Sequence, residues 1–525
     1  MWRYNSYPGA RVDSEYPFYQ LSIPEVFRSY NFTERFPNYA EIRDYFEHVD
    51  KVLDVRKDIT FNAEVTSAEW DDKTSRWTVR TEQGHTATCK YLLLCTGSTY
   101  KKHVPDWPGL SAYKGQLYHT ARWPSDGLDV SGKKVAVVGQ GATGVQVVQE
   151  LAKQAGELTV FLRTPNQALP MRQSKVDRAM QDAMKGSYVT LFKASRDTQG
   201  GFAYKAPPEP SSTALPIEQR HQLFEELYQR GGFNLVASVW QDYFFDPVAN
   251  RTLYDFWTSK TRPRINNQVK RDILAPVEPP HPWMTKRPSL EQDYYECMDR
   301  DNVKLVDMKT NDIASFTETG IKTTDGSNLD FDLVVLATGF DNYTGAFHTM
   351  GLKHKDSGKD LGQIWKGGVR TYCGLMAEGY PNMWMVYGPQ GTSSHSPTPL
   401  IHHSSNNTPA PTALGNGPAI IEVQIDIIIS MLEKMISQNL KSIAASPAGV
   451  EEWTNDIHEM AKLTFMPTAN SWYMGANIPG KKREMLNYLK GLNVYEKEVR
   501  ATFEGEVGEG WKGWDVKREE MAADF

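Results

Sequence analysis

Gly139-Gln140-Gly141-Ala142-Thr143-Gly144 follow a β-branched apolar run, Lys133 to Val138, and precede a helical stretch, Val145 to Lys153. Glycines at this spacing between a strand and a helix suit the pyrophosphate of a dinucleotide. Gly139 permits the tight turn, Gly141 lets backbone approach the phosphates, and Gly144 lets helix and strand pack closely. The N–H groups at the helix N-terminus, with Thr143 in the turn beside them, then face the anion. A second strand, Leu158 to Leu162, ends in Arg163-Thr164, where an NAD site would carry an acid for the ribose hydroxyl. A guanidinium with a neighbouring hydroxyl suits a 2′-phosphate instead, so the expected dinucleotide is NADPH.

The segments around this turn must position it. Tyr39–Val52 reads as a helix, Ile59–Trp70 and Arg76–Thr81 as strands joined through Asp71-Asp72-Lys73, and Tyr91–Cys95 as a short strand running into Thr96-Gly97. Lys101 to Gly109, with Pro105 and Pro108, reads as a linker. Residues 174–275 are mostly helical in pattern, interrupted by a Pro- and Ser-rich loop at Ala206–Pro216. Leu333–Phe340 repeats the strand-into-loop pattern, and Ile420–Leu440 is one long amphipathic helix. Gly391–Pro409, rich in Ser, His, Thr, Asn and Pro, has no periodicity and reads as a surface loop.

At 525 residues the chain is long enough for two to four units at about 150 residues each. With 40% hydrophobic and 23% charged residues, disorder is excluded as the main state. A formal charge of −6, from 58 basic and 64 acidic residues, gives a nucleic-acid partner no electrostatic support. The four cysteines, Cys89, Cys95, Cys297 and Cys373, lack the spacing of a disulfide scaffold, a zinc site or a redox dithiol. That excludes disulfide-reductase chemistry, and no metal site is expected. No apolar run approaches the roughly 20 residues of a membrane span, and Met1–Gly9 carries no apolar signal core. The expectation is a soluble cytoplasmic protein without membrane or nucleic-acid partners.

The stretch Tyr113-Lys114-Gly115-Gln116-Leu117-Tyr118-His119-Thr120-Ala121-Arg122-Trp123-Pro124 resembles the F-x-G-x-x-x-H-x-x-x-W-P signature of Baeyer–Villiger monooxygenases, with Tyr113 for the opening Phe. Further blocks are similar to that family in its order. They are Tyr7–Asp13, Thr285-Lys286-Arg287-Pro288 followed by Tyr294-Tyr295-Glu296, Ala337-Thr338-Gly339-Phe340-Asp341, and Ser471–Lys481. The resemblance implies an α/β fold with two dinucleotide-binding (Rossmann-like) domains. The FAD domain (1–115 and 335–525) is split around an NADP domain (120–334), whose helical insertion (174–275) shapes the substrate pocket. It also implies that NADPH reduces bound FAD, and that the reduced flavin passes oxygen from O2 to a ketone carbonyl, giving an ester or lactone.

The same resemblance assigns roles. Arg287 matches the active-site arginine that stabilises negative charge beside the flavin, and Asp13 the carboxylate that holds it. Lys286 joins Arg163 and Thr164 at the 2′-phosphate, and Trp472 lies near the nicotinamide. Arg11, Tyr19, Thr96 and Gly97 line the flavin. Gly115, His119 and Trp123 lie in a linker between the nucleotide domains, which implies a part in domain movement rather than proton transfer. Gly379–Trp384 is similar to fungal secondary-metabolism members, which implies a polyketide or terpenoid ketone.

Two departures stand out. The family carries a first G-x-G-x-x-G for the FAD pyrophosphate, whereas this sequence begins at Met1-Trp2 inside the block that follows it, and Gly505, Gly508 and Gly510 cannot substitute. The expectation is an incomplete chain. Gly391–Pro409 interrupts a junction that is almost continuous in the family. Two other readings keep the nucleotide turn: a flavin N- or S-oxygenating enzyme, whose signature lacks the Trp123-Pro124 ending, and a flavin-free NADPH-binding remnant.

Overall fold

A computed structural model describes residues 2–205, 207, 209, 211–355, 357–391 and 415–519. Gly391 is therefore described, but the rest of the Gly391–Pro409 loop lies outside the described residues. The segment that carries the Gly-rich turn is a five-stranded parallel sheet in the order Val303–Asp307, Glu157–Leu162, Lys134–Val138, Leu333–Leu336, Gln116–His119. Its inner strands are apolar without alternation because helices and loops cover both faces. Helix Ala142–Gln154 packs against it through Val145, Val147, Val148 and Leu151, each at most 1% exposed. Each such burial stabilises the fold by about 1.5–3 kcal/mol.

Gln116–His119 pairs with Leu333–Leu336, so a third of the signature stretch is an edge strand of this sheet. That corrects the expectation of a linker there: His119 closes a strand, and a 3-10 turn, Thr120–Arg122, follows. The reason is the alternation Leu117, His119 on the edge, which needs a partner strand to be legible as β. Between Asp307 and Leu333 a three-stranded antiparallel sheet intervenes, in the order Ile313–Phe316, Gly320–Thr323, Asn328–Asp330.

A second sheet holds Val65–Asp71, Arg76–Thr81 and Thr86–Cys89 as an antiparallel meander, with Leu352–His354 added in parallel. The strand expected from Ile59 begins only at Val65, because pairing with Arg76–Thr81 starts at Val65 opposite Thr81. Tyr39–Leu53 is a helix whose N-cap, Asn38, accepts from the Ala40 and Glu41 N–H groups. The strand expected at Tyr91–Cys95 is confined to Leu92–Leu94, parallel to Met383–Met385.

Helices Arg178–Met184, Tyr188–Arg196, Ile217–Arg230, Pro247–Thr261 and Gln268–Leu274 fill the region read as helical. The long C-terminal helix spans Gly417–Ser437 rather than reaching Leu440. Asn439 adopts a left-handed φ of 52° after it, and Leu440–Ala445 becomes a strand paired with Trp514–Arg518. Among the described residues no helix is long and apolar enough to cross a membrane.

Candidate active site

The segment Tyr7–Asp13 lies on helix Ala142–Gln154. Gly9 makes this approach possible: its φ is +80°, and a Cβ there would stand 2.7 Å from the Gln146 carbonyl oxygen. The Tyr7 hydroxyl donates to Gln146 Oε1 at 2.8 Å, and Gln146 Nε2 donates to the Arg11 carbonyl at 3.1 Å. The chain path is thereby fixed just before Asp13.

Asp13 Oδ2 accepts from Arg287 Nε at 3.0 Å and Nη2 at 2.9 Å. Arg287 reaches it from a turn in which Met284 has φ +65° and the buried Thr285 hydroxyl donates to the Pro282 carbonyl at 2.7 Å. The guanidinium carbon stands 5.0 Å from the centre of the Phe233 ring. Burial opposes the Arg287 charge. Asp13 foremost, with the Tyr473 and Tyr387 hydroxyls, outweighs it and raises the pKa above the ordinary arginine value. Burial also pushes the Tyr473 and Tyr387 phenols up, and Arg287 opposes that shift. The side chains of Arg287 and Asp13 remain 21% and 35% exposed, so the fixed cation is partly desolvated yet reachable. Such a cation stabilises negative charge forming on a nearby oxygen.

The Gly-rich turn has the geometry that a pyrophosphate requires. Gly139 has φ +108°, and a Cβ there would lie 2.4 Å from the Ala337 carbonyl oxygen, so the Ala337-Thr338-Gly339 loop closes against it. A Cβ on Gly144 would lie 2.2 Å from the Gly139 oxygen, whereas one on Gly141, the N-cap, would meet nothing within 4 Å. Helix and strand thus need Gly139 and Gly144, and Gly141 faces open space where a phosphate fits. Thr143 lies in the first turn, its hydroxyl 3.4 Å from that of Tyr7. Tyr294 supports the turn from behind by donating to Gln140 Oε1.

Arg163 and Thr164 follow the second strand, as read from the sequence, with Arg163 exposed. Lys286 is drawn to the same place. Burial first, then the charges of Arg163 and Lys309, lowers its pKa to about 8. Cations that oppose one another in this way fit a dianionic 2′-phosphate. The residues present therefore fit NADPH.

For the flavin, the parallel pair Leu92–Leu94 and Met383–Met385 ends at Thr96-Gly97, where a Cβ on Gly97 would meet nothing within 4 Å. Open space at the carboxyl ends of parallel strands is where a dinucleotide's ring end fits. Tyr19 lies toward Asp13 and Tyr387, its phenol raised by burial and receiving a bond from Trp2 Nε1 at 3.1 Å. Arg11 is turned to Glu34, 3.1 Å away, and to the Phe36 carbonyl. Among the described residues the one G-x-G-x-x-G turn is Gly139–Gly144.

The signature residues have plain packing reasons. Tyr113 folds back over Gly115, where a Cβ would lie 2.3 Å from its hydroxyl oxygen, and donates to the Phe331 carbonyl at 2.8 Å. His119 Nδ1 accepts from the Ala121 N–H at 3.0 Å, and the ring lies edge-on to Phe340, 5.9 Å between centres. Burial, with Lys102 adding to it, lowers the His119 pKa to about 4, so the imidazole is neutral and a poor proton donor. Trp123 is buried beside Tyr118.

Trp472 stacks obliquely on Tyr473 and approaches Tyr343, with centres 4.1 and 5.8 Å apart. Its segment is tied down by Asn477 Nδ2 donating to the Phe340 carbonyl and by Lys481 Nζ 2.9 Å from Asp341. Sequence reasoning missed Phe233, Tyr387 and Tyr473 around Arg287. The pair Gly231-Gly232 before Phe233 was the one local signal. Among the described residues no cluster of His, Cys, Asp or Glu is placed to hold a metal ion.

A flavin-binding monooxygenase-like family model matches residues 23–180. The FAD-binding monooxygenase acrE of Aspergillus aculeatus is 41% identical, covering 95% of this chain and 81% of its own. Cyclopentanone 1,2-monooxygenase of Comamonas sp. is 39% identical, covering 94% and 86%. A crystal structure of cyclohexanone monooxygenase from Rhodococcus sp. Phi1 bound to NADP+ has a TM-score of 0.88 and 30% identity, covering 99% of this chain and 92% of that one. OTEMO in complex with FAD and NADP has a TM-score of 0.88, also at 30% identity, covering 98% and 92%. With the signature, the nucleotide turn and the arginine–aspartate pair in one α/β fold, the chain belongs to the FAD- and NADPH-dependent Baeyer–Villiger monooxygenases.

Proposed function

We propose that Arg287 is the catalytic cation of this enzyme and that Asp13 holds it. The observation that carries this reading is the two-bond Arg287–Asp13 contact, with two phenols facing a guanidinium that remains partly exposed. Bound FAD, once reduced by NADPH, supplies the activated oxygen that is inserted beside a ketone carbonyl. Asp13 keeps the guanidinium charged and fixes its plane. Arg287 then offers N–H groups where negative charge develops on oxygen, an effect commonly worth about 3–4 kcal/mol for one donor. Tyr387 and Tyr473, kept protonated by burial, exclude water from its flanks.

For the cofactors, Gly139, Gly141, Thr143 and Gly144 hold the NADPH pyrophosphate, and Arg163, Thr164 and Lys286 its 2′-phosphate. Trp472 lies at the nicotinamide end, while Arg11, Tyr19, Thr96 and Gly97 border the flavin. Gly115, His119 and Trp123 couple the parallel sheet to the flavin-binding part, His119 lying against Phe340. In domain terms, 120–334 binds NADP, 1–115 and 335–525 bind FAD, and 174–275 shapes the ketone pocket. The substrate is a cyclic ketone of secondary metabolism, oxidised in the cytoplasm without a nucleic-acid or membrane partner. Cyclopentanone, in the name of one relative, and the similarity of Gly379–Trp384 support that class.

The test is turnover of the purified protein with FAD, NADPH, 18O2 and cyclic ketones that include cyclopentanone. A lactone carrying one 18O per NADPH consumed is expected. Oxidation of amines or sulfides without any ketone product would overturn the reading.

A further inference from the structure

We infer that Phe233, on the helical insertion, is a positioning residue that holds the Arg287 guanidinium in its productive plane. The inference rests on the reading of Arg287 above. Both bonds from Arg287 to Asp13 converge on one oxygen, Oδ2, through Nε and Nη2, and the Tyr473 side chain bonds the guanidinium as well. Hydrogen bonds of this group act in its plane and do not cover its face. The Phe233 ring adds the remaining contact, its centre 5.0 Å from the guanidinium carbon, within cation–π range. Its negative ring face adds attraction where burial otherwise opposes the charge.

The backbone is arranged to deliver that ring. Helix Ile217–Arg230 ends at Gly231, whose N–H reaches back to the Leu227 carbonyl. Gly231 and Gly232 both have positive φ, +71° and +60°. A Cβ at Gly231 would stand 2.3 Å from Arg172 Cγ, and one at Gly232 would stand 3.2 Å from Phe36 Cζ. The Gly232 N–H donates to the Pro170 carbonyl at 2.9 Å, and the Phe233 carbonyl then accepts from the Val236 and Ala237 N–H groups. Phe233 is fully buried, so its ring is fixed on every side but the arginine's. The insertion that borders the substrate pocket therefore also sets the attitude of the catalytic cation.

A misaligned cation leaves NADPH oxidation running while electrons are lost. In the coupled reaction NADPH, O2, a proton and ketone give ester, water and NADP+. In the uncoupled one NADPH, O2 and a proton give H2O2 and NADP+. The experiment measures both products for Phe233→Leu, Phe233→Tyr and a fluorinated phenylalanine at 233, which keeps the shape but weakens the ring's negative face. Each is made with Arg287 and again in the Arg287→Ala background.

With Arg287 present, Phe233→Leu and the fluorinated ring are expected to raise the H2O2-to-ester ratio about ten-fold at unchanged NADPH KM, and Phe233→Tyr to stay near wild type. In the Arg287→Ala background none of them should change the ratio further. Equal ratios for all rings with Arg287 present, or the same rise without Arg287, would overturn the inference. Full ester output from Arg287→Ala alone would instead overturn the reading of the arginine. Should Phe233→Leu fail to fold by thermal melt, the fluorinated ring decides by itself.

Discussion

Arg287 and Asp13, 274 positions apart in sequence, meet through a single carboxylate oxygen bonded at 2.9 and 3.0 Å. The N-terminal segment and the loop after the helical insertion must both be in place before this contact exists. Removing either partner is therefore not symmetrical. Arg287→Ala deletes the cation and should lower ester formation about 100- to 1000-fold, while NADPH oxidation continues. Arg287→Lys keeps a charge but cannot bond twice along one edge, and should restore no more than a small part. Asp13→Ala leaves a half-buried guanidinium without its partner and should also lower the melting temperature. Product yield per NADPH, read beside thermal melts, separates these outcomes; a fully coupled Arg287→Ala enzyme would sink the assignment.

The nucleotide turn can be divided by substitution into a part that serves the fold and a part that serves the ligand. Gly144→Ala drives a methyl to 2.2 Å from the Gly139 oxygen, so loss of stability by about 1–3 kcal/mol and loss of NADPH binding should come together. Gly141→Ala meets nothing within 4 Å and should melt like wild type, yet its methyl occupies the space that a pyrophosphate needs. NADPH affinity should fall at least ten-fold in that variant. An unchanged affinity would place the pyrophosphate elsewhere.

The turn and its flanks were legible because the relevant physics is local. Branched residues before glycines, an asparagine cap at Asn38 and the strand Arg76–Thr81 all announce themselves within a few positions. Ile59 and Phe61 mislead for the opposite reason: both are large and apolar, yet 48% and 57% exposed, and only a partner strand decides where β structure starts. Likewise the left-handed Asn439 stops the long helix, although the apolar periodicity runs on to Leu440. Phe233, Tyr387 and Tyr473 could not be read in advance, because each becomes part of the site through contacts across distant segments.

With Lys286 at the proposed 2′-phosphate site, cofactor choice should depend on pH. Its pKa is lowered to about 8, by burial first and then by Arg163 and Lys309, so the free enzyme loses this charge above that pH. A 2′-phosphate favours the protonated form, and binding above pH 8 must take up a proton. The NADPH KM should therefore be flat below pH 8 and rise above it, approaching ten-fold per unit, while the NADH KM stays level. Lys286→Arg keeps its charge throughout and should flatten the NADPH curve. Parallel curves for the two nucleotides would remove Lys286 from the phosphate site.

His119 and His281 predict an acid-labile fold. Burial is the main cause for both, aided by Lys102 at His119, and each pKa is lowered to about 4. An unfolded chain binds protons at these imidazoles near pH 6.5, whereas the native state does not. Between about 6.5 and 4 the unfolded state holds more protons, so stability is full above this window and falls as pH drops through it. A shift of this size corresponds to at most about 3 kcal/mol for each residue. His119→Gln retains an acceptor for the Ala121 N–H but cannot be protonated, so its share of the acid-dependent loss should vanish. Chemical denaturation at pH 7.5, 6 and 4.5 measures this. An unchanged pH slope in His119→Gln would mean that the native imidazole is protonated, and its seat against Phe340 would then need a counter-charge that the surrounding residues do not supply.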